Sequence, residues 1–194
     1  MRFMLGVDEA GRGPLAGPVA AGVVMVPEGF DVARKFIGVA DSKKLSEKKR
    51  EEIFTMLEAC IVSGDVRFAV EFESAEVIDE KGIAYAVREA VARGINGITC
   101  GSPTSTNFHI LLDGSLHAPP EYAQKTIING DELIPIIALA SIVAKVRRDR
   151  LMVRLAKQFP EYGFEQHKGY GTEAHYRALK KHGPCILHRQ SFLH

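Results

Sequence analysis

A chain of 194 residues with 46% hydrophobic and 25% charged residues fits one domain of ordinary size, with enough apolar material for a sizeable core; wholesale disorder is excluded. Cys60, Cys100 and Cys185 stand far apart with no C-x-x-C pair, which excludes a disulfide framework and a zinc knuckle and fits a reducing cytoplasm. The net charge of +1 conceals a gradient of 0 over residues 1–70, −6 over 71–140 and +7 over 141–194, so the last stretch reads either as a phosphate-binding surface or as a solvated basic helix face.

The apolar run at the N-terminus is too short for a signal peptide or a membrane span. Residues 3–8 read as a buried strand, Gly11 to Pro18 as a turn-rich connection and Val19 to Val26 as a second strand, which predicts an opening hairpin. Ser46 is placed to cap a helix over about 47–60, with Ile53, Leu57 and Ile61 on one face. Residues 66–73 alternate Val66, Phe68, Val70 and Phe72 against polar neighbours, which predicts a half-exposed strand. Ile83, Val87, Ala90 and Val91 form a helical stripe expected to stop near Gly94, and Cys100 to Asn107 reads as a loop. Phe108 to Leu112 predicts a strand ending in Asp113-Gly114, and Lys125 to Asn129 another. Asp131 is expected to open one long helix reaching about Phe159, with Pro135 tolerated in its first turn. Thr172 caps a last helix that stops before Gly183-Pro184. A mixed α/β sheet follows from this order.

Four carboxylates end strands or open helices. Asp8 and Glu9 are adjacent, so on an extended strand they point to opposite faces; both can serve one site only if the backbone turns there, although Glu9 can also offer its carbonyl. Asp113 reads either as an Asp-Gly turn or as a carboxylate that needs solvent, a partner or a cation. Asp131 reads either as a helix cap or as a ligand, and the two are compatible. Carboxylates that converge repel one another, and hard divalent cations with oxygen ligands are the usual reason such clusters persist. Two such ions about 4 Å apart suit phosphodiester cleavage. The glycines after Glu9 run G-x-G-x-x-x-G with Pro14 between them and no G-K-[ST] follows, which argues against a nucleotide cradle. The histidines show no zinc spacing.

The run Asp8-Glu9-Ala10-Gly11-Arg12-Gly13-Pro14-Leu15-Ala16-Gly17-Pro18 resembles ribonuclease HII. The resemblance continues through Asp41-Ser42-Lys43-Lys44-Leu45-Ser46, Asp113-Gly114, Gly130-Asp131, Ala140-Ser141-Ile142-Val143-Ala144-Lys145, Arg148-Asp149, Lys168-Gly169-Tyr170-Gly171-Thr172, His175, His188-Arg189 and Ser191-Phe192. It implies an α/β, ribonuclease H-like mixed five-stranded sheet flanked by helices, with a C-terminal helical extension. It further implies a single catalytic domain over residues 1–194 with its basic helical portion at about 141–194. The implied activity is endonucleolytic hydrolysis of the RNA strand of RNA–DNA hybrids and cutting 5′ of a single ribonucleotide embedded in duplex DNA, leaving a 3′-hydroxyl and a 5′-phosphate.

On this resemblance Asp8, Glu9, Asp113 and Asp131 are the catalytic acids and hold Mg²⁺ or Mn²⁺, two ions in the reacting complex. Gly11, Arg12 and Gly13 lie against the minor groove where the ribose 2′-hydroxyl is read, and Tyr170 stacks on the next sugar. Ser141, Lys145 and Arg148, at i, i+4 and i+7 on one helix face, join Lys43 and Lys44 as phosphate contacts. Asn129, where the family often has lysine, and Cys185, where it has serine or threonine, depart from the pattern. The expected protein is a cytoplasmic monomer that binds hybrid and ribonucleotide-containing duplex, works in ribonucleotide repair and DNA replication, and meets no membrane. The alternatives are a ribonuclease HIII-type hybrid nuclease, which carries an extra N-terminal domain and a glutamate for one aspartate, and a catalytically silent hybrid-binding protein with a replaced carboxylate; no extra domain is expected here, and all four acids Asp8, Glu9, Asp113 and Asp131 are present.

Overall fold

The computed structural model describes residues 2–39, 45–62, 64, 66–100 and 107–193. A five-stranded mixed sheet runs through the middle in the order β3-β2-β1-β4-β5. β1 (Phe3–Ala10) and β2 (Val19–Pro27) form the expected antiparallel hairpin, and β3 (Arg67–Glu73) extends it antiparallel on the outer side of β2. β4 (Phe108–Asp113) runs parallel to β1, and β5 (Gln124–Ile127) parallel to β4.

Helices cover both faces. A four-residue helix, α1 (Val32–Lys35), follows β2, and α2 (Glu47–Val62) opens as expected with the Ser46 hydroxyl accepting from the Lys49 amide at 3.2 Å. After α3 (Ala75–Lys81), α4 (Ile83–Thr99) runs on past the expected stop at Gly94 to an end at Cys100 in left-handed backbone. Gly94 is a contact point: a Cβ there would stand 2.9 Å from Val23 Cγ2, so the missing side chain lets α4 lie close on β2. Residues 101–106 of the expected loop lie outside the described residues.

The long helix expected to begin at Asp131 is two helices. Asn129, at φ 54°, leads into α5 (Gly130–Leu133), the chain extends at Ile134, and α6 (Pro135–Ala156) starts afresh with the proline at its first position. Proline has no N–H to donate and crowds the turn before it, so it opens a helix more readily than it continues one. Asp131 therefore sits inside the first turn of α5, one residue past its start, and not at its cap position. After α7 (Phe164–His167), α8 (Glu173–His182) begins at Thr172, whose hydroxyl accepts from the His175 amide at 3.3 Å, and it stops before Gly183 as expected.

One apolar core joins Leu5, Val7, Val23, Ile110 and Leu112 of the sheet to Val87, Val91 and Ile95 of α4. The other joins Val24 and Val26 to Ile53, Phe54 and Leu57 of α2 and to Ile137, Leu139 and Val143 of α6. Each fully buried Val, Leu or Ile side chain contributes about 1.5–3 kcal/mol. Gly6 and Gly22 set how near α6 comes, because a Cβ on either would overlap the carbonyls of Ile136 or Ala140 at 2.3 and 2.4 Å. That close approach brings the Ser141 region of α6 against the end of β1. Among the described residues no helix is long and apolar enough to cross a membrane.

Candidate active site

The parallel register of β1 and β4 pairs Val7 with Leu112, so Asp8 and Asp113 emerge side by side one residue further on. Asp8 is buried at 5% exposure and accepts from the Glu9 amide at 2.8 Å. Burial pushes its carboxyl up to about 8, with the negative charges of Glu9 and Asp113 pushing the same way; a hydrogen bond with the Ser141 side chain opposes them. Ser141 thus meets Asp8 itself, a contact absent from its expected role at phosphate.

Asp131 arrives from α5, buried at 4% exposure, and its amide donates to Asp113 Oδ1 at 3.2 Å. Gly130 makes that approach possible, since a Cβ there would press on Ile137 Cδ1 at 2.7 Å and on Asp113 Oδ1 at 3.3 Å. Asp8 and Asp113 are therefore neighbours where the interior strands β1 and β4 end, and Asp131 of α5 lies beside Asp113.

Glu9 behaves differently. β1 does not turn at Glu9: its pairing with β2 continues to Ala10 opposite Ala20. Alternation along the strand, with Leu5 and Val7 in the α4-side core and Gly6 against α6, sends the Glu9 side chain to the α4 side and Asp8 to the α6 side. Glu9 Oε1 accepts from Arg12 Nη1 at 2.9 Å, while the buried Oε2 accepts no hydrogen bond among the described residues.

The donor chemistry fits a hard divalent cation: the four groups are carboxylates, Asp8 is held up near 8 by burial and then by its like-charged neighbours, and Glu9 has a buried oxygen without a donor among the described residues. Among the described residues no three of these groups are drawn round a single point at ligand spacing, so the acids are adjacent without forming a closed shell.

Beside the acids lies a cleft of about 280 Å³ lined by Glu9, Gly11, Arg50, Ser141, Lys145 and Tyr170. Lys145 Nζ pairs with Asp149 at 2.9 Å and stands 5.3 Å from the centre of the Tyr170 ring, which is 41% exposed. Three residues expected on one helix face do share it, but they do not share a role. Arg148 is fully buried, its Nε donating to the Pro18 carbonyl at 2.8 Å, Nη1 to Lys168 at 3.0 Å and Nη2 to Ala16 at 3.2 Å. It cannot reach a phosphate, which corrects the expectation: periodicity names the face, but two loops distant in sequence cover it. Lys43 and Lys44 lie outside the described residues.

Gly11 takes φ +92°, and a Cβ there would overlap Arg148 Nε at 2.1 Å, so both its conformation and its room demand glycine. Arg12 and Gly13 are exposed. Arg50 was missed by sequence reasoning, because it sits in a charged helix start where nothing distinguishes it from Lys48 or Lys49. Arg189 was missed as well: fully buried, it donates from Nε to the Gly17 carbonyl at 3.0 Å, from Nη1 to Arg12 at 2.8 Å and from Nη2 to Gly11 at 2.7 Å. Only its place in the resemblance set it apart.

Solved structures with this chain path define the class. RNase HII of Archaeoglobus fulgidus, solved in complex with PCNA, matches with a TM-score of 0.76 and 27% identity over 99% of this chain and 96% of its own. Bst-RNase HIII in complex with Mn²⁺ shares the fold, at a TM-score of 0.72 and 17% identity over 98% of this chain and 67% of that one. The molecule has the ribonuclease H-like fold, with its acids at the adjoining ends of β1 and β4. Residues 5–194 match the family model for Ribonuclease HII, and the Ribonuclease HII of Chlamydia muridarum is 48% identical over 187 residues, covering 96% of this chain and 80% of that protein. The chain belongs to the ribonuclease HII family. It is a metal-dependent endoribonuclease, a hydrolase of a family that acts on RNA–DNA hybrids.

Proposed function

We propose that this enzyme cuts the RNA strand of hybrids and also cuts 5′ of a single ribonucleotide embedded in duplex DNA, leaving a 3′-hydroxyl and a 5′-phosphate. The observation that carries the reading is the Asp8 carboxyl, pushed up to about 8 by burial and by Glu9 and Asp113 at the edge where β1 and β4 end. Such a group loses its proton readily only when positive charge arrives. Asp8, Glu9, Asp113 and Asp131 would hold two Mg²⁺ or Mn²⁺ ions; Glu9 would contribute its backbone carbonyl, since its side chain leaves on the other face of the sheet. When bound, the ions supply a water nucleophile at neutral pH and stabilise charge on the leaving oxygen.

This chain's own residues do the remaining work. Gly11, Arg12 and Gly13 bring backbone close enough to hydrogen-bond a ribose 2′-hydroxyl, the one group that tells a ribonucleotide from its neighbours. Tyr170 offers a half-exposed ring face to the adjoining sugar. Lys145, held by Asp149, and Arg50 across the cleft carry the positive charge that meets the phosphates, and Lys43 and Lys44 extend that contact. All four acids come from one chain, consistent with a monomer acting as a single catalytic domain over residues 1–194. The cellular setting that suits this chemistry is ribonucleotide repair and DNA replication in the cytoplasm.

The test is a labelled duplex containing one ribonucleotide, incubated with Mg²⁺ or Mn²⁺ beside an all-DNA duplex and a hybrid without an RNA-to-DNA junction. Scission confined to the ribonucleotide-bearing strand, on its 5′ side, is expected. Equal cutting of the all-DNA duplex would refute the reading.

A further inference from the structure

Two buried arginines lie behind the glycine loop, and neither enters the chemistry above. Arg189 spends all three guanidinium nitrogens on the carbonyls of Gly11, Arg12 and Gly17, and Arg148 spends all three of its own on Ala16, Pro18 and Lys168. Five of these six acceptors belong to the loop joining β1 to β2; the sixth, Lys168, stands two residues before Tyr170. A buried guanidinium is normally matched with a carboxylate. Here no ion pair to either arginine is formed among the described residues, and carbonyl dipoles take the carboxylate's place. Burial and the nearby Arg148 push Arg189 down to about 9, which still leaves it charged at neutral pH.

The consequence follows from covalent geometry. Among the described residues no peptide bond is cis. In a trans peptide the C=O and the following N–H point in opposite directions. With the Gly11 and Arg12 carbonyls turned inward to Arg189, the N–H groups of Arg12 and Gly13 must face away from it, on the side where both residues are exposed. Two successive donors are thus aimed outward from one rigid loop. Backbone cross-links hold the loop at its far end, Leu15 N to Gly169 O at 2.9 Å, Gly17 N to Leu187 O at 2.8 Å and Arg189 N to Leu15 O at 2.8 Å.

We propose that Arg189, with Arg148 beside it, is a positioning residue for ribose recognition: by drawing the Gly11 and Arg12 carbonyls inward it fixes the Arg12 and Gly13 amides outward as the donors that meet the 2′-hydroxyl. This rests on the reading of residues 11–13 as the ribose-sensing loop. Lysine at 189 keeps the charge but cannot span three divergent carbonyls with a planar fork, so the loop loses its fixed direction. Gly11→Ala disturbs the same arrangement from the other side, since its Cβ would occupy the place of Arg148 Nε.

The experiment compares affinities for a duplex with one ribonucleotide and for the same all-DNA duplex, with Ca²⁺ in place of Mg²⁺ so that both stay intact, beside thermal unfolding of each variant. The ratio of the two affinities cancels any change in the folded fraction, so a merely structural role would leave it unmoved. The wild type is expected to favour the ribonucleotide, and Arg189→Lys and Gly11→Ala to lower that ratio about tenfold, the worth of one or two hydrogen bonds. A wild-type ratio near one would overturn the ribose-sensing loop itself and the inference with it. A wild-type preference that both variants retain would overturn the inference alone and leave the loop reading standing. Should Arg189→Lys fail to fold, Gly11→Ala decides between these outcomes.

Discussion

Where β1 and β4 end, like charges crowd together, whereas the cations Arg148 and Arg189 of the C-terminal segment are buried deeper and each meet three carbonyls. Asp8 answers its surroundings by holding its proton, and Glu9 keeps one buried oxygen without a donor among the described residues. Arg148 and Arg189 each meet three carbonyl oxygens, and each also faces an aromatic ring, Tyr170 and Phe192 respectively. Charge that the fold leaves unmatched points to a ligand; charge that the fold matches completely is architecture. The comparison therefore assigns chemistry to the acidic edge and loop geometry to the buried basic pair, although the sequence's charge gradient invites the opposite emphasis.

The largest effect expected from breaking this comparison is on turnover. Asp8→Asn should lower the cleavage rate by on the order of a thousandfold or more while duplex affinity changes no more than about threefold, as read from single-turnover cleavage and an equilibrium binding curve. On the basic side, Arg148→Met should act through stability, orphaning three carbonyls at a cost of about 3–5 kcal/mol, or roughly 10 °C in unfolding temperature for a chain of this size. If Arg148→Met unfolded like the wild type and instead lost salt-dependent duplex affinity, the assignment of that residue to architecture would be wrong.

The two regions should also titrate in opposite senses. Asp8 carries a folded-state value of about 8 against 3.8 unfolded, so between these values the native state keeps a proton that the unfolded chain releases, and metal-free stability falls as pH rises through that window. Asp8→Asn should remove this alkaline loss, leaving the variant more stable than the wild type at pH 8 without metal. In the C-terminal segment His175 and His188 face each other with their Nε2 atoms 3.0 Å apart. Burial pushes both down, His188 to about 4 with His175 as its second cause, so their contribution is lost as pH falls from about 6.5 toward 4. Unfolding midpoints followed across pH in chelator separate the two limbs. The smallest effect belongs to Lys145→Ala: a few-fold loss of duplex affinity and a salt dependence shallower by about one counterion.

Much of the frame was legible because it rests on local rules. The Ser46 and Thr172 caps, the opening hairpin and the alternating strand at Arg67–Glu73 are each written in a handful of adjacent residues. Asp8 and Asp113 do end side by side, and the Asp131 amide reaches Asp113; a carboxylate closing an apolar strand or opening a helix is conspicuous in one dimension. What escaped depends on partners distant in the chain. Gly94 reads as a stop until Val23 is seen beneath it. Arg148 reads as a surface cation until the Ala16–Pro18 and Lys168 carbonyls close over it. The break at Ile134 escaped because the apolar pattern runs unbroken through Pro135. Glu9 shows a subtler case: the glycines that follow permit a turn, but pairing with Ala21 keeps the strand straight through it.

The central claim, that the edge holding Asp8, Asp113 and Asp131 is a divalent-cation site held under electrostatic stress until the cation comes, is tested most directly by calorimetric titration of Mn²⁺ into the nucleic-acid-free protein between pH 6 and 8. The account predicts binding that strengthens with pH, releases protons in that range, and is abolished or weakened at least tenfold by Asp8→Asn. Binding of equal strength in wild type and Asp8→Asn, with no proton release, would contradict it.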